Sequence, residues 1–133
     1  MIPKNADCVL YNAFGDEFRK HTLRVFLEFD NGLKSIEKGV EGAGSVMVYI
    51  GNESNYITPG EWRILTAYEA ADKFTVQVGD ILYFGEKEPP DVFNTTVEIG
   101  KHFRPDNTYK IMSVYPAILP GGKLSHIEVR GVQ

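Results

Sequence analysis

The chain has 133 residues, of which 43% are hydrophobic and 24% charged, and its 14 basic and 18 acidic side chains give a net charge of −4. This length supports one hydrophobic core, so we expect a single domain over residues 1–133 and not a disordered chain. The acidic balance argues against a protein that binds nucleic acid by neutralising phosphates. No apolar run reaches the roughly 20 residues of a membrane-spanning helix, and the first residues lack the layout of a signal peptide, so we expect a cytoplasmic site of synthesis.

Alternating apolar and polar residues predict β-strands in the first half of the chain. We expect them at residues 8–11, 22–30, 33–37 and 46–50, with a Gly15-Asp16 turn in a connection over residues 12–20 and an Asn31-Gly32 hairpin turn. On the second strand Phe26 is the one apolar residue of the polar face. It is therefore a candidate contact residue, although isolated surface hydrophobics are equally common.

Residues 74–84 predict two short strands around a sharp corner. Gly79 suits a positive φ there, and the Asp80 side chain can accept hydrogen bonds from nearby backbone N–H groups. The first arm alternates, with Phe74, Val76 and Val78 on one face and Thr75 and Gln77 on a wet one. The second arm, residues 81–84, is apolar throughout, so we expect the core to cover one face and a further element or another subunit to cover the other.

The remaining segments add little helix. Thr66 and Glu69 form a capping-box pattern for a short helix over residues 66–73, and Thr95 and Glu98 form another before a helix over residues 97–103. Loops are expected at residues 53–61 and 85–94, and strands at residues 109–115 and 124–132. These elements predict an all-β fold, a small β-barrel or sandwich of about seven or more short antiparallel strands with one or two short helices, and flexible loops near residues 31–45 and 85–107.

The sequence predicts no catalytic, cofactor-binding or metal site. His21, His102 and His126 stand on different elements without metal-ligand spacing, and the glycine-rich run at residues 39–44 lacks the ending of a phosphate-binding loop. Cys8, the only cysteine, and Trp62, the only tryptophan, are predicted to be buried, the latter as a core or rim anchor.

Two further groups of residues leave alternatives open. Glu86, Glu88 and Asp91 flank two prolines, where a carboxylate pair or calcium site is conceivable but a solvated loop is commoner. The rings of Tyr83 and Phe84 could stack with the bases of a single-stranded nucleic acid only if a basic groove lay beside them. Lys87 alone does not form such a groove. An enzyme would require the histidines or these acids to converge in space, so we expect a structural or binding protein.

Seven segments, taken together and in order, resemble one family. They are DCVLYN at residues 7–12, TLRV at 22–25, SVMVYI at 45–50, YITPGEW at 56–62, FTVQVGDILYFGE at 74–86, YKIMSV at 109–114 and HIEVRG at 126–131. They are similar to minor structural proteins encoded in the head-to-tail joining region of tailed bacteriophages and prophages, the head-closure or head-completion proteins. The resemblance covers most of the chain and supplies no catalytic residues.

The resemblance implies a small β-barrel in the virion neck that assembles with copies of itself as a ring, retains packaged DNA and docks the tail. Portal or adaptor proteins would flank it on the head side, and tail-completion or tail-terminator proteins on the other, without a membrane or a cofactor. Packaged DNA would lie close to the ring without sequence-specific contact. An acidic ring would repel phosphates, so we expect the loop that carries Glu37 and Glu41 to reach the axis. We expect residues 86–94, with Glu86 and Asp91, to contact a neighbouring ring, and Phe26, Tyr83 and Phe84 to complete the contact residues. The alternatives are an adjacent connector role or, outside phages, a small ligand- or nucleic-acid-binding barrel.

Overall fold

The computed structural model describes residues 4–29, 44–103 and 107–133. In chain order these residues form β1 (Ala6–Phe14), β2 (Glu17–Phe29), β3 (Ser45–Gly51), α1 (Pro59–Arg63), α2 (Ala67–Ala70), β4 (Ile81–Tyr83), β5 (Val92–Phe93), α3 (Thr96–Phe103), β6 (Thr108–Ile118) and β7 (Leu124–Val132). The Asn31-Gly32 turn and the strand expected at residues 33–37 lie outside the described residues.

Six of the strands close into an antiparallel barrel. They follow one another in the order β1-β4-β6-β7-β3-β2, and β2 pairs back with β1 over nine residue pairs from Ala6–Val25 to Phe14–Glu17. β5 is an extra strand, joined to β2 through the Phe18–Phe93 and Arg19–Val92 pairs. The prediction of a mostly β, small barrel is confirmed, and closure gives every barrel strand a partner on both sides over part of its length.

Alternation along the strands builds the barrel core. Over residues 46–51 of β3 and 126–132 of β7, the inward residues are buried and their outward neighbours are half-buried or exposed, as the sequence predicted. The core contains Cys8, Leu10, Leu23, Val25, Val46, Val48, Ile50, Phe74, Val76, Leu82, Tyr109, Ile111, Ile127 and Val129. Gly131 lies on this inner face, where an added Cβ would stand 3.0 Å from the Tyr109 Cβ, so a larger residue would displace the tyrosine.

Some predicted boundaries were wrong. The connection expected at residues 12–20 is mostly strand, because β1 and β2 continue to a tight turn at Gly15, whose φ is 62°. The flexible loop expected near residues 85–107 contains the short strand β5, whereas α3 confirms the helix predicted over residues 97–103. Phe29 shares the face of Leu23 and Val25 but is 55% exposed, because β2 reaches its end there.

The corner at residues 74–80 has the predicted turn but not the predicted strand. Gly79 has a φ of 97°, as expected. The first arm makes one isolated bridge, Tyr56 with Phe74, and its faces are not those the alternation indicated: Thr75 is fully buried and Val78 is 63% exposed. The arm is not part of the sheet. Successive side chains along it therefore do not alternate between the two faces of a sheet.

Asn12 and Asp80 fasten this corner to β1. The Asn12 amide donates to the Thr75 carbonyl at 2.8 Å and to the Asp80 carboxylate at 2.7 Å, and the Asn12 Oδ1 accepts from the Thr75 N–H at 3.0 Å. Asp80 also accepts from the Ala13 N–H at 3.1 Å and forms a side-chain hydrogen bond with Gln77, so its partners come both from β1 and from its own corner. Burial raises the pKa of Asp80 to about 6, although these hydrogen bonds act in the opposite direction.

A second, smaller core covers the outside of β1 and β4. It consists of Tyr11, Ile81, Tyr83, Phe93, Ile99 and Phe103. Phe103 of α3 stacks on Tyr83 with the ring centroids 3.7 Å apart, and the Tyr11 hydroxyl donates to the Pro90 carbonyl at 2.7 Å. The second cover of β4, for which another subunit was considered, is therefore α3 of the same chain.

Capping boxes begin the two helices of the segment between β3 and β4. The predicted box of Thr66 and Glu69 is present before α2. A second box, Thr58 with Glu61 and with Pro59 in the first turn, begins α1, where the sequence analysis expected only a loop. Its signal was the spacing of threonine and glutamate around the proline. Before α3 the Thr95 hydroxyl accepts from the Glu98 N–H at 3.1 Å, as expected.

The outer edge of β6 is only partly paired. β4 pairs with β6 as far as Lys110, and the Ile111 N–H then donates to the Asp80 carbonyl at 2.8 Å. A bulge separates Ile111 from Ser113, and Pro116 has no N–H to offer. Within the described residues, β7 is the only strand that pairs with β6 beyond Ile111.

The stability contributed by Asp80 is expected to fall as the pH rises. Its folded pKa of about 6 lies above the ordinary value of 3.8, so the contribution is complete below about pH 4 and is lost by about pH 6. At 1.36 kcal/mol per pKa unit, the loss is at most about 3 kcal/mol. Urea unfolding of the wild type and of Asp80→Asn across this range should show their difference in unfolding free energy shrinking as the pH rises. Asp72→Asn is the matched control for the loss of one exposed carboxylate, and parallel wild-type and Asp80→Asn curves would contradict the assignment.

Phe103→Ala should destabilise the fold strongly. The side chain is 1% exposed and its ring stacks on Tyr83, so truncation leaves a cavity in the second core and should cost about 3–5 kcal/mol. Val97→Ala, on the same helix but 64% exposed, should stay within about 0.5 kcal/mol of the wild type. Equal unfolding free energies for the two variants in urea would show that α3 does not stabilise the barrel.

Candidate protein-interaction surface

The polar residues that could support chemistry do not converge. Within residues 4–29, 44–103 and 107–133, no three His, Cys, Asp or Glu side chains form a group that could hold a metal ion. His21 stacks on Phe74 at 4.4 Å, and burial lowers its pKa. His126 lies against Glu128 at 3.0 Å, and Cys8 is fully buried with a raised pKa.

The outside of the barrel is covered on one half only. On β1 and β4, the second core and α3 cover the outward residues. No element of the described chain packs in the same way on the outward residues of β3, β6, β7 and the end of β2. We call this surface the open face; it consists of Phe26, Glu28, Met47, Tyr49, Met112, Tyr115, His126, Glu128 and Arg130.

An aromatic row crosses the open face. Phe26 pairs with Tyr49, Tyr49 pairs with Glu128, and Glu128 pairs with Tyr115, so these four residues form one line across β2, β3, β7 and β6. The rings of Phe26 and Tyr49 lie 5.8 Å apart. Tyr115 is 63% exposed, and Met112 beside it is 50% exposed. Large apolar side chains grouped on an exposed surface are typical of protein contacts.

The charges of the open face are nearly balanced. Its ionised residues are Glu28, Glu128 and Arg130, and the Tyr49 hydroxyl donates to Glu28 at 3.2 Å. A surface that binds nucleic acid through stacked bases needs adjacent positive charge, which this face does not have in excess. The chemistry of the face therefore fits a protein partner.

A polar cleft of about 300 Å³ beside α2 and β5 is lined by several basic side chains. They are Arg19, Lys20, His21 and Lys73. Arg19 pairs with Glu17 at 2.7 Å and Lys20 with Asp91 at 3.0 Å. Carboxylates of the same chain thus already neutralise Arg19 and Lys20, two of the three lysine and arginine side chains of the cleft. The cleft therefore has little positive charge left to attract an anion.

The structure separates the residues predicted as contacts. Phe26 lies in the aromatic row, and Phe84 is half-buried against Tyr109 at 6.0 Å. Tyr83 is 2% exposed in the second core, so it is not available for a surface contact, and no basic groove can use its ring. Glu86 and Asp91 are exposed on the connection between β4 and β5. Glu37 and Glu41 lie outside the described residues.

The other members of the aromatic row were not predicted from the sequence. Alternation in residues 46–50 already placed Met47 and Tyr49 opposite the core, and that signal could have identified them. Tyr115 could not be placed on the same line, because its pairing with Glu128 depends on the bulge after Ile111. A bulge shifts the register by one residue and leaves no reliable mark in the alternation.

The described residues thus define a small closed β-barrel with one extra strand and three short helices. A family model matches residues 2–132, and the chain belongs to that family, described as a family of unknown function (DUF6751). Comparison with curated proteins and with solved structures gave no match. No helix in the described part of the chain is long and apolar enough to cross a membrane.

Proposed function

We propose that the chain is a non-enzymatic structural protein of a tailed-phage virion, a head-closure subunit that assembles as a ring in the neck, retains packaged DNA and docks the tail. The observation that carries this proposal is the open face, where Met112 and Tyr115 are exposed and no helix or strand of the described residues packs over the outward side of the sheet. The sequence resemblance to head-closure proteins supplies the setting. A ring subunit needs such surfaces, because each copy must contact its neighbours.

The charge of the chain fits a position near DNA without tight binding. At a net charge of −4, the subunit would repel phosphates and let the genome slide past it. In this proposal Glu37 and Glu41 face the axis, while Glu86 and Asp91 contact a flanking portal, adaptor or tail-completion protein. An adjacent position in the same connector, as adaptor or tail-completion protein, is the second candidate, since it would use the same surface.

Removing the apolar contacts of the open face should prevent self-association without unfolding the subunit. Met112→Ser combined with Tyr115→Ser changes two side chains that are at least half exposed, so the unfolding free energy should change by less than about 1 kcal/mol. Sedimentation velocity should show oligomers for the wild type and monomers for the double variant. Val97→Ser, on the covered side of the barrel, is the control and should remain oligomeric. A double variant that sediments like the wild type would exclude the open face as the subunit contact.

The proposed role is tested in a phage or prophage genome that carries this chain. An early stop codon in its gene should give particles with full heads that leak DNA and carry no tails, as seen by negative-stain electron microscopy. Restoring the gene on a plasmid is the control. Intact full heads beside free tails would favour a tail-joining role, and normal infectious particles would contradict a connector role altogether.

A further inference from the structure

Two hairpins lie at the same end of the barrel on opposite sides. β1 and β6 each run antiparallel to β4, so both end at the same rim of the barrel. In the closed strand order, β4 separates the β1–β2 pair from the β6–β7 pair on one side, and β3 separates them on the other. The turns after β1 and after β6 therefore face away from each other across this rim.

The turn after β6 is an apolar projection. It lies beyond Gly51–His126, the last pair that joins β7 to β3. Ile118 is 56% exposed and Leu119 is 47% exposed, although the Leu119 N–H donates to the Lys123 carbonyl at 2.7 Å and keeps the turn closed. We call residues 118–123 the tip.

The turn after β1 borders an apolar cleft. The cleft has a volume of about 450 Å³ and is lined by Ala13, Phe14, Gly15, Trp62, Arg63, Leu65 and Gln77. We call it the α1 cleft. Trp62 forms its floor, because the indole N–H donates to the Ala13 carbonyl at 2.8 Å and the ring packs edge-on against Phe14 at 5.3 Å. Ile64 and Val78, next in sequence to lining residues, are 81% and 63% exposed.

The two surfaces are complementary in charge as well as in polarity. The tip carries the exposed Lys123, and the exposed Asp16 follows Gly15 at the edge of the cleft. Within the described part of the chain neither side chain forms an ion pair. A tip seated in a neighbouring cleft would bring an amine towards a carboxylate, while Leu119 would meet Trp62, Phe14 and Leu65.

We infer that the tip of one copy inserts into the α1 cleft of the next copy, which makes the contact heterologous, with a different surface on each side. The inference rests on the proposed function, because it specifies how copies of this chain join. A heterologous contact repeated by rotation closes into a ring, whereas an isologous contact stops at a dimer. The tip continues β6 directly from Met112 and Tyr115, so the same neighbour would cover this part of the open face.

Cysteine cross-linking tests the direction of the contact. Cys8 is fully buried, so thiols introduced on the surface should react with little background. Leu119→Cys and Arg63→Cys are made in separate, differently tagged chains, and each is expressed alone and with the other. After a short bismaleimide is added, co-expressed chains should give mixed dimers that contain both tags, and each variant alone should give none.

The possible results separate the two proposals. Cross-linking of Leu119→Cys with itself would show tip-to-tip contact and overturn the inference, as would oligomers by sedimentation without mixed cross-links; the proposed connector role survives both results. Wild-type protein that stays monomeric at all concentrations would overturn both.

A charge exchange gives an independent readout. Lys123→Glu should weaken self-association by about fivefold, and adding Asp16→Lys should restore it. A double variant as weak as Lys123→Glu alone would contradict the proposed seat of the tip.

Discussion

Closure of this barrel depends on a strand of three residues. β4 alone joins β1 to β6, and its three residues are buried from both sides, Leu82 by the main core and Ile81 and Tyr83 by the second core. So short a strand offers few ladder hydrogen bonds, and the corner before it supplies more through Asp80 and Asn12. The buried carboxylate weakens this arrangement when it ionises, but no other described element would hold the barrel closed between β1 and β6.

The cover over β4 determines which surface is left for partners. Because α3 and β5 occupy the outside of β1 and β4, apolar side chains on that half satisfy one another within the subunit. On the other half, no helix or strand of the described residues packs in this way over the outward side of the sheet, and Met112 and Tyr115 are exposed. Exposed large apolar side chains lower solubility, and burial against another protein would remove that cost. The proposed connector role follows from this asymmetry and from the sequence resemblance.

Sequence patterns predicted the parts of the fold that depend on local chemistry. The alternation of β3 and β7, the positive φ of Gly79 and the capping box at Thr66 follow from neighbouring residues, and the structure confirms them. Thr75 was expected on a wet face and Tyr83 in a surface contact, and both predictions were wrong because distant segments bury these residues. β1 buries Thr75, and α3 buries Tyr83. The aromatic row depends on strand register across a bulge, which alternation within one strand does not encode. Phe26 could be placed on the outward face from the sequence because it interrupts the run of polar residues on that face of β2.

The bulge and the proline on β6 limit how other chains can use its outer edge. Past Ile111, the bulge breaks the even spacing of the backbone groups, and Pro116 removes a donor, so an incoming strand cannot extend the sheet from this edge as a regular ladder. Another chain that binds at this edge would have to do so through complementary side-chain packing, which accommodates one neighbour in one orientation. Growth by strand addition has no such natural end and leads to fibres. Even at high concentration, the barrel is thereby kept from polymerising through this edge.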